Sequence, residues 1–129
     1  MSKHSKLIFL CQGPNDASVK AFLRENQVSQ LSLNQALIEA VKAGNINIVT
    51  TLLRYGADVA YGNESAICLA AQKGRTEICR LLVLSGANVN ARDGYPLRTA
   101  YMNRNIDLVL MLVKEFEADT DCIYGPPIN

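Results

Sequence analysis

Apolar residues in this chain come in short bursts at helical spacing, and the bursts themselves recur. In residues 65–73, Ile67 and Ala70 share one face at i, i+3. Gly74 follows, a residue able to end a helix in the left-handed conformation at little cost. Ile78, Leu81 and Leu82 then fall at i, i+3, i+4, the stripe of a second amphipathic helix. Gly86 closes that helix, and Val89, Asn90 and Ala91 read as an extended loop leading onward. The pattern predicts a helix–turn–helix unit.

Two other segments repeat the unit in phase. Ala40, Ala70 and Ala100 are 30 residues apart, and Leu37, Ile67 and Leu97 precede them by three each. Ile48, Ile78 and Leu108 follow by eight. Gly44-Asn45 and Gly74-Arg75 become Arg104-Asn105 in the third copy, and Gly56-Ala57 and Gly86-Ala87 become Glu117-Ala118 after one extra residue. Residues 5–33 read as a degenerate first copy, with Ile8 for Leu37, Cys11 for Ala40, and Val19, Phe22 and Leu23 as the second-helix stripe. Polar Lys20, Arg24 and Glu25 give that terminal unit a wet face. Helices of this length are marginal alone, so the copies must stack and cover one another's apolar sides, with alanine where helices approach closely. The expected organisation is one domain: a degenerate repeat at 5–33, repeats at 34–62, 63–93 and 94–121, and at 122–129 the start of a further repeat or a tail.

These residues resemble the ankyrin repeat family, well over 34–121 and loosely over 5–33. The most specific stretches are ICLAAQKG at 67–74 and LLVLSGANVN at 81–90. The resemblance implies an all-α solenoid with a concave surface offered to protein partners. Two departures stand out. The family's Thr-Pro-Leu-His opening is Gln-Ala-Leu-Ile, Ser-Ala-Ile-Cys and Tyr-Pro-Leu-Arg here, which removes its Thr–His hydrogen bonding. The period is three short of the family's usual 33, which implies stubbier turn fingers.

Composition narrows the function. Charged residues make up 19% and the net charge is +1, with four bases against two acids in residues 1–33 and nine against ten in 34–129. No basic stripe marks a nucleic-acid surface. The five-residue apolar run at 7–11 is too short for a signal peptide, and the six-residue run at 108–113 cannot span a bilayer. Cys11, Cys68, Cys79 and Cys122 are 57, 11 and 43 residues apart, a spacing that suits no metal site. They read as free thiols of a reduced compartment, cytoplasmic or nuclear, although Cys68 and Cys79 could approach across a helical hairpin. The single histidine, His4, sits at an end expected to fray, which leaves no base for a nucleophilic triad. Asp119 and Asp121 read as solvated capping residues. No catalytic residue, metal or cofactor is nominated.

The expected role is a non-catalytic protein-interaction module. Mapped through the resemblance, its concave surface takes in Lys42, Tyr61, Asn63, Glu64, Gln72, Lys73, Arg92, Tyr95, Arg98 and Met102, with Tyr61, Arg92, Tyr95, Arg98 and Met102 as a hot patch. Its basic side chains mildly favour an acidic or mixed-charge protein or peptide. Any of these side chains could equally serve packing or solubility. Residues 106–113 are apolar nearly all round, unlike an outermost helix. That end could lead into further repeats, pack on a partner or a second copy through Leu110 or Met111, or lie under the tail. Two other roles stay open: a structural assembly element, and a regulatory N-terminal segment of a larger enzyme.

Overall fold

The computed structural model describes residues 2–124; residues 125–129, most of the segment 122–129 discussed above, lie outside them, as does the side chain of Tyr124. The described elements are α1 (Lys3–Cys11), α2 (Asp16–Glu25), α3 (Gln30–Ala43), α4 (Ile46–Arg54), α5 (Tyr61–Gln72), α6 (Thr76–Leu84), α7 (Ala91–Met102), α8 (Ile106–Leu110) and the short α9 (Asp121–Tyr124). No strand occurs among them. Helices α1, α3, α5, α7 and α9 pack each on the next as one row, and α2, α4 and α6 form a second row behind them. The chain is an all-α solenoid of stacked helical pairs.

The 30-residue period is a packing period. Ala40, Ala70 and Ala100 are completely buried, as are Leu37, Ile67 and Leu97, and Leu52, Leu82 and Leu112. In the first pair Val19, Phe22 and Leu23 form the buried stripe, while Lys20, Arg24 and Glu25 face solvent as expected. There Leu7, rather than Ile8, is fully buried on α1, together with Cys11.

Helix ends follow the sequence signals closely. Gly44 and Gly74 take φ of +80° and +70° at the ends of α3 and α5, and Arg104 holds the same place after α7 at +57°. Gly56 and Gly86 lie at +98° and +108° behind α4 and α6. Asn15, Asn45 and Asn105 accept hydrogen bonds from the first-turn amides of Ser18, Ile48 and Leu108, which would otherwise lack partners. The extra residue of the third copy is absorbed in one π turn, Met111–Glu115, that continues α8. The Ala57 and Ala87 amides reach back five residues to the Leu52 and Leu82 carbonyls, whereas Ala118 reaches back six to Leu112.

Two expectations need correction. His4 is not frayed: it belongs to α1, and its Nδ1 lies 2.9 Å from Ser32 Oγ on α3. Val89, Asn90 and Ala91 do not form an extended loop. The chain turns at 89–90 and then runs left-handed through Arg92, Asp93 and Gly94, with φ of +52°, +56° and +79°. Gly62, Asn63 and Glu64 do the same one repeat earlier. A short period leaves few residues for a projecting finger, and a single left-handed turn reverses the chain instead. Each non-glycine residue in it costs about 1–2 kcal/mol of backbone strain.

Candidate protein-binding surface

Side chains from adjacent repeats hold those turns. Arg92 donates from Nε to the Asn63 carbonyl at 2.9 Å and from Nη2 to the Gly62 carbonyl at 2.9 Å and Ser65 Oγ at 3.0 Å. Ser65 Oγ in turn donates to the Gly62 carbonyl at 2.6 Å. Arg98 donates to the carbonyls of Asp93 and Arg92 at 3.2 and 3.1 Å, and its guanidinium lies 5.7 Å from the Tyr95 ring centroid. Arg98 stands where the family has histidine, so an arginine ties down the turn in its place. Glu64 accepts from the Asn88 amide at 3.3 Å through Oε1, while its buried Oε2 has no partner among the described residues. In the neighbouring layers Asn34 binds the Asp58 amide and Asn90 the Asp119 amide, both at 2.8 Å. Asp119 also accepts from the Asp121 amide at 2.9 Å, the capping arrangement expected of that pair.

The sequence-nominated surface therefore divides. Arg92, Tyr95 and Arg98 cluster, with both guanidinium groups already occupied by backbone carbonyls. The Asn63 and Gln72 carbonyls accept from Arg92 and Asn103. Lys73 is exposed at the end of α5, and Met102 is 76% exposed at the end of α7. Lys42 and Tyr61 lie elsewhere, on the walls of a shallow groove of about 530 Å³ that crosses α1, α3 and α5.

That groove brings together residues the sequence reasoning missed. Ile8, Ile38 and Leu69 are half-buried in it, so part of each side chain still meets solvent. His4, Gln35, Glu39 and Ser65 supply polar groups around them. Lys42 Nζ pairs with Glu39 at 3.5 Å, and Gln12 donates to the same carboxylate at 3.3 Å. An apolar floor within a rim carrying both charges suits a polypeptide segment with aliphatic anchors. One signal for it was present in the sequence. Ile38 directly follows the core residue Leu37, one position off the buried stripe, where an amphipathic helix ordinarily turns polar.

The thiols are chemically quiet. Burial pushes Cys11 and Cys79 up to about 12, with smaller contributions from Glu39 and Cys68 respectively, and burial also raises Cys68. A thiol so raised stays protonated near neutral pH and is a poor nucleophile. All four cysteines are free.

The family model described as ankyrin repeats (3 copies) matches residues 3–93. An ankyrin repeat protein of Acanthamoeba polyphaga mimivirus is 25% identical over 109 residues, covering 84% of this chain and 23% of the relative. An ankyrin repeat protein of fowlpox virus is 39% identical over 71 residues, covering 54% of this chain and 15% of its own length. The NF-kappa-B inhibitor cactus of Drosophila melanogaster is 41% identical over 61 residues, covering 44% of this chain and 12% of the relative. The chain thus spans less than a quarter of the length of each of these relatives. With the family match extending over more than half of its residues, the chain belongs to the ankyrin repeat family.

Proposed function

We propose that this chain is a non-catalytic protein-binding module whose partner segment lies in the groove across α1, α3 and α5. Ankyrin repeats are generally protein-interaction modules. Cactus is named as an inhibitor of NF-kappa-B, and a regulatory relative supports a binding role here. The observation that carries the reading is the trio Ile8, Ile38 and Leu69, held half-exposed beside Tyr61 on three successive helices of one row. Aliphatic side chains kept partly wet by a rigid scaffold gain transfer free energy when a partner covers them, about 25 cal/mol per Å² of apolar surface. The Lys42–Glu39 pair favours a mixed-charge segment over a strongly acidic one. Lys73 and the Arg92–Tyr95–Arg98 cluster extend the same surface towards the C-terminal repeats.

No helix among the described residues is long and apolar enough to cross a membrane. A cytoplasmic or nuclear setting is supported by the free cysteines and by the family's usual compartments. Selection of a displayed peptide library on the chain tests the reading. Peptides should carry aliphatic anchors, and Ile38→Ser or Leu69→Ser should weaken them at least about tenfold with unchanged helical circular dichroism. Retained affinity in both folded variants would refute it.

A further inference from the structure

The groove across α1, α3 and α5 has two sides of different chemistry. On each helix a polar residue precedes an apolar one by three or four positions on the same face: His4 and Ile8, Gln35 and Ile38, Ser65 and Leu69. All six are half-buried. Successive repeats are translations of one helical pair, so the three helices run in the same direction. The apolar residues therefore form one row across the helices. The polar residues form a second row about 5 Å away, one helical turn. Neighbouring members of a row are about 8–10 Å apart, the usual distance between the axes of packed helices.

Hydrogen bonding along the polar row is uneven. His4 Nδ1 lies 2.9 Å from Ser32 Oγ, and Ser65 Oγ donates to the Gly62 carbonyl and accepts from Arg92. Glu39 beside them is engaged by Lys42 and Gln12. The Gln35 carboxamide, in the middle of the row, has no hydrogen-bond partner among the described residues, and neither has the Tyr61 hydroxyl in the same groove. A carboxamide offers both donor and acceptor, the complement of a peptide main chain. The two rows together select a conformation for the occupant. A polyproline II segment has three residues per turn at about 3.1 Å each, so every third side chain faces the same way at intervals of about 9 Å. Its main chain has no internal hydrogen bonds and is free to bind Gln35. A β-strand repeats on one face at about 6.7 Å, out of step with the helices. An α-helix meets the spacing only at every seventh residue, and its main chain is bonded internally, leaving Gln35 and Tyr61 unused.

We infer that the partner segment is an extended, polyproline II strand with aliphatic side chains at every third position, set on Ile8, Ile38 and Leu69, and with its main chain bound by Gln35. The inference rests on the groove proposed above as the docking site and names the chemistry that the groove selects.

Fluorescence anisotropy of two labelled synthetic peptides with the full chain is the test. One peptide carries leucine at every third position with proline and serine between; the other is helix-forming, with leucine at every seventh. The first should bind at least about tenfold tighter than the second. Gln35→Ala, with helical circular dichroism unchanged, should weaken the first about fivefold, as should N-methylation of its central leucine amide. The two losses should not add, because each removes the same contact. Full additivity, or no binding of the first peptide, would overturn the inference. Tighter binding of the helical peptide, lost in Ile38→Ser, would overturn it while leaving the groove standing as the docking site. Binding of either peptide unchanged in both Ile38→Ser and Leu69→Ser would overturn the groove and the inference together.

Discussion

Gly44 gives a direct measure of how firmly one repeat is fastened to the next. Arg75, at the start of α6, lies on the C-terminal end of α3 and donates from Nη2 to the Lys42 carbonyl at 3.0 Å. A methyl group added at Gly44 would come 2.7 Å from Arg75 Cζ and 2.9 Å from Nε. Alanine there meets two costs. A left-handed φ of +80° costs about 1–2 kcal/mol for a residue with a Cβ. Displacing the guanidinium loses its carbonyl bond, about 1 kcal/mol for an exposed hydrogen bond. The expected total for Gly44→Ala is about 2–3 kcal/mol. Gly56 supplies the control, because its φ of +98° is equally left-handed but nothing lies within 4 Å of an added Cβ. Gly56→Ala should therefore cost only the conformational part, about 1–2 kcal/mol. Urea unfolding followed by circular dichroism reads both, and Arg75→Ala closes a double-mutant cycle. In the Arg75→Ala background, Gly44→Ala should fall to the Gly56→Ala value. Equal costs for the two glycine variants in the wild-type background, or strict additivity in the cycle, would refute the clamp.

Three further outcomes follow from the same geometry. Arg104 and Glu117 occupy the left-handed positions held by glycine in the preceding repeats, so Arg104→Gly and Glu117→Gly should each raise stability by about 1 kcal/mol in urea titrations. Ala70 is completely buried between layers, so Ala70→Leu should overpack the contact and destabilise the chain by about 1–3 kcal/mol, read in the same way. Cys11 and Cys79 have folded values near 12 against an ordinary 9.0. The unfolded chain therefore loses their protons first as pH rises. The stabilisation is complete below pH 9.0 and declines towards about 12, by about 1.4 kcal/mol per pH unit for each thiol. Replacing Cys79 with alanine should reduce that slope by about 1.4 kcal/mol per pH unit in urea titrations across the interval; an unchanged slope would contradict the assignment.

The repeat was legible because it rests on residues that have one physical use. Alanine at 40, 70 and 100 marks close helix approach, and Gly44, Gly74 and Gly86 mark left-handed helix ends, so the spacing alone located the stack. The turns were less legible. Asn63, Glu64, Arg92 and Asp93 adopt left-handed backbone without a glycine at their own positions, stabilised by carbonyl contacts from arginines in the same or the following repeat. The carbonyl contacts of Arg92 and Arg98 were equally hidden, because the reach of a long side chain to a carbonyl leaves no periodic trace. The π turn was visible only as one surplus residue between Leu112 and Ala118. The groove was hidden for another reason. Its floor is assembled from Ile8, Ile38 and Leu69 on three helices, none of which shows alone that it faces the others.

The most direct test of the binding surface is a methyl-resolved NMR titration with a library-selected peptide. Shifts should concentrate on Ile8, Ile38 and Leu69 and leave Ile106 and Leu110 unmoved. Shifts confined to α8, or spread over the α2, α4 and α6 row, would contradict the account.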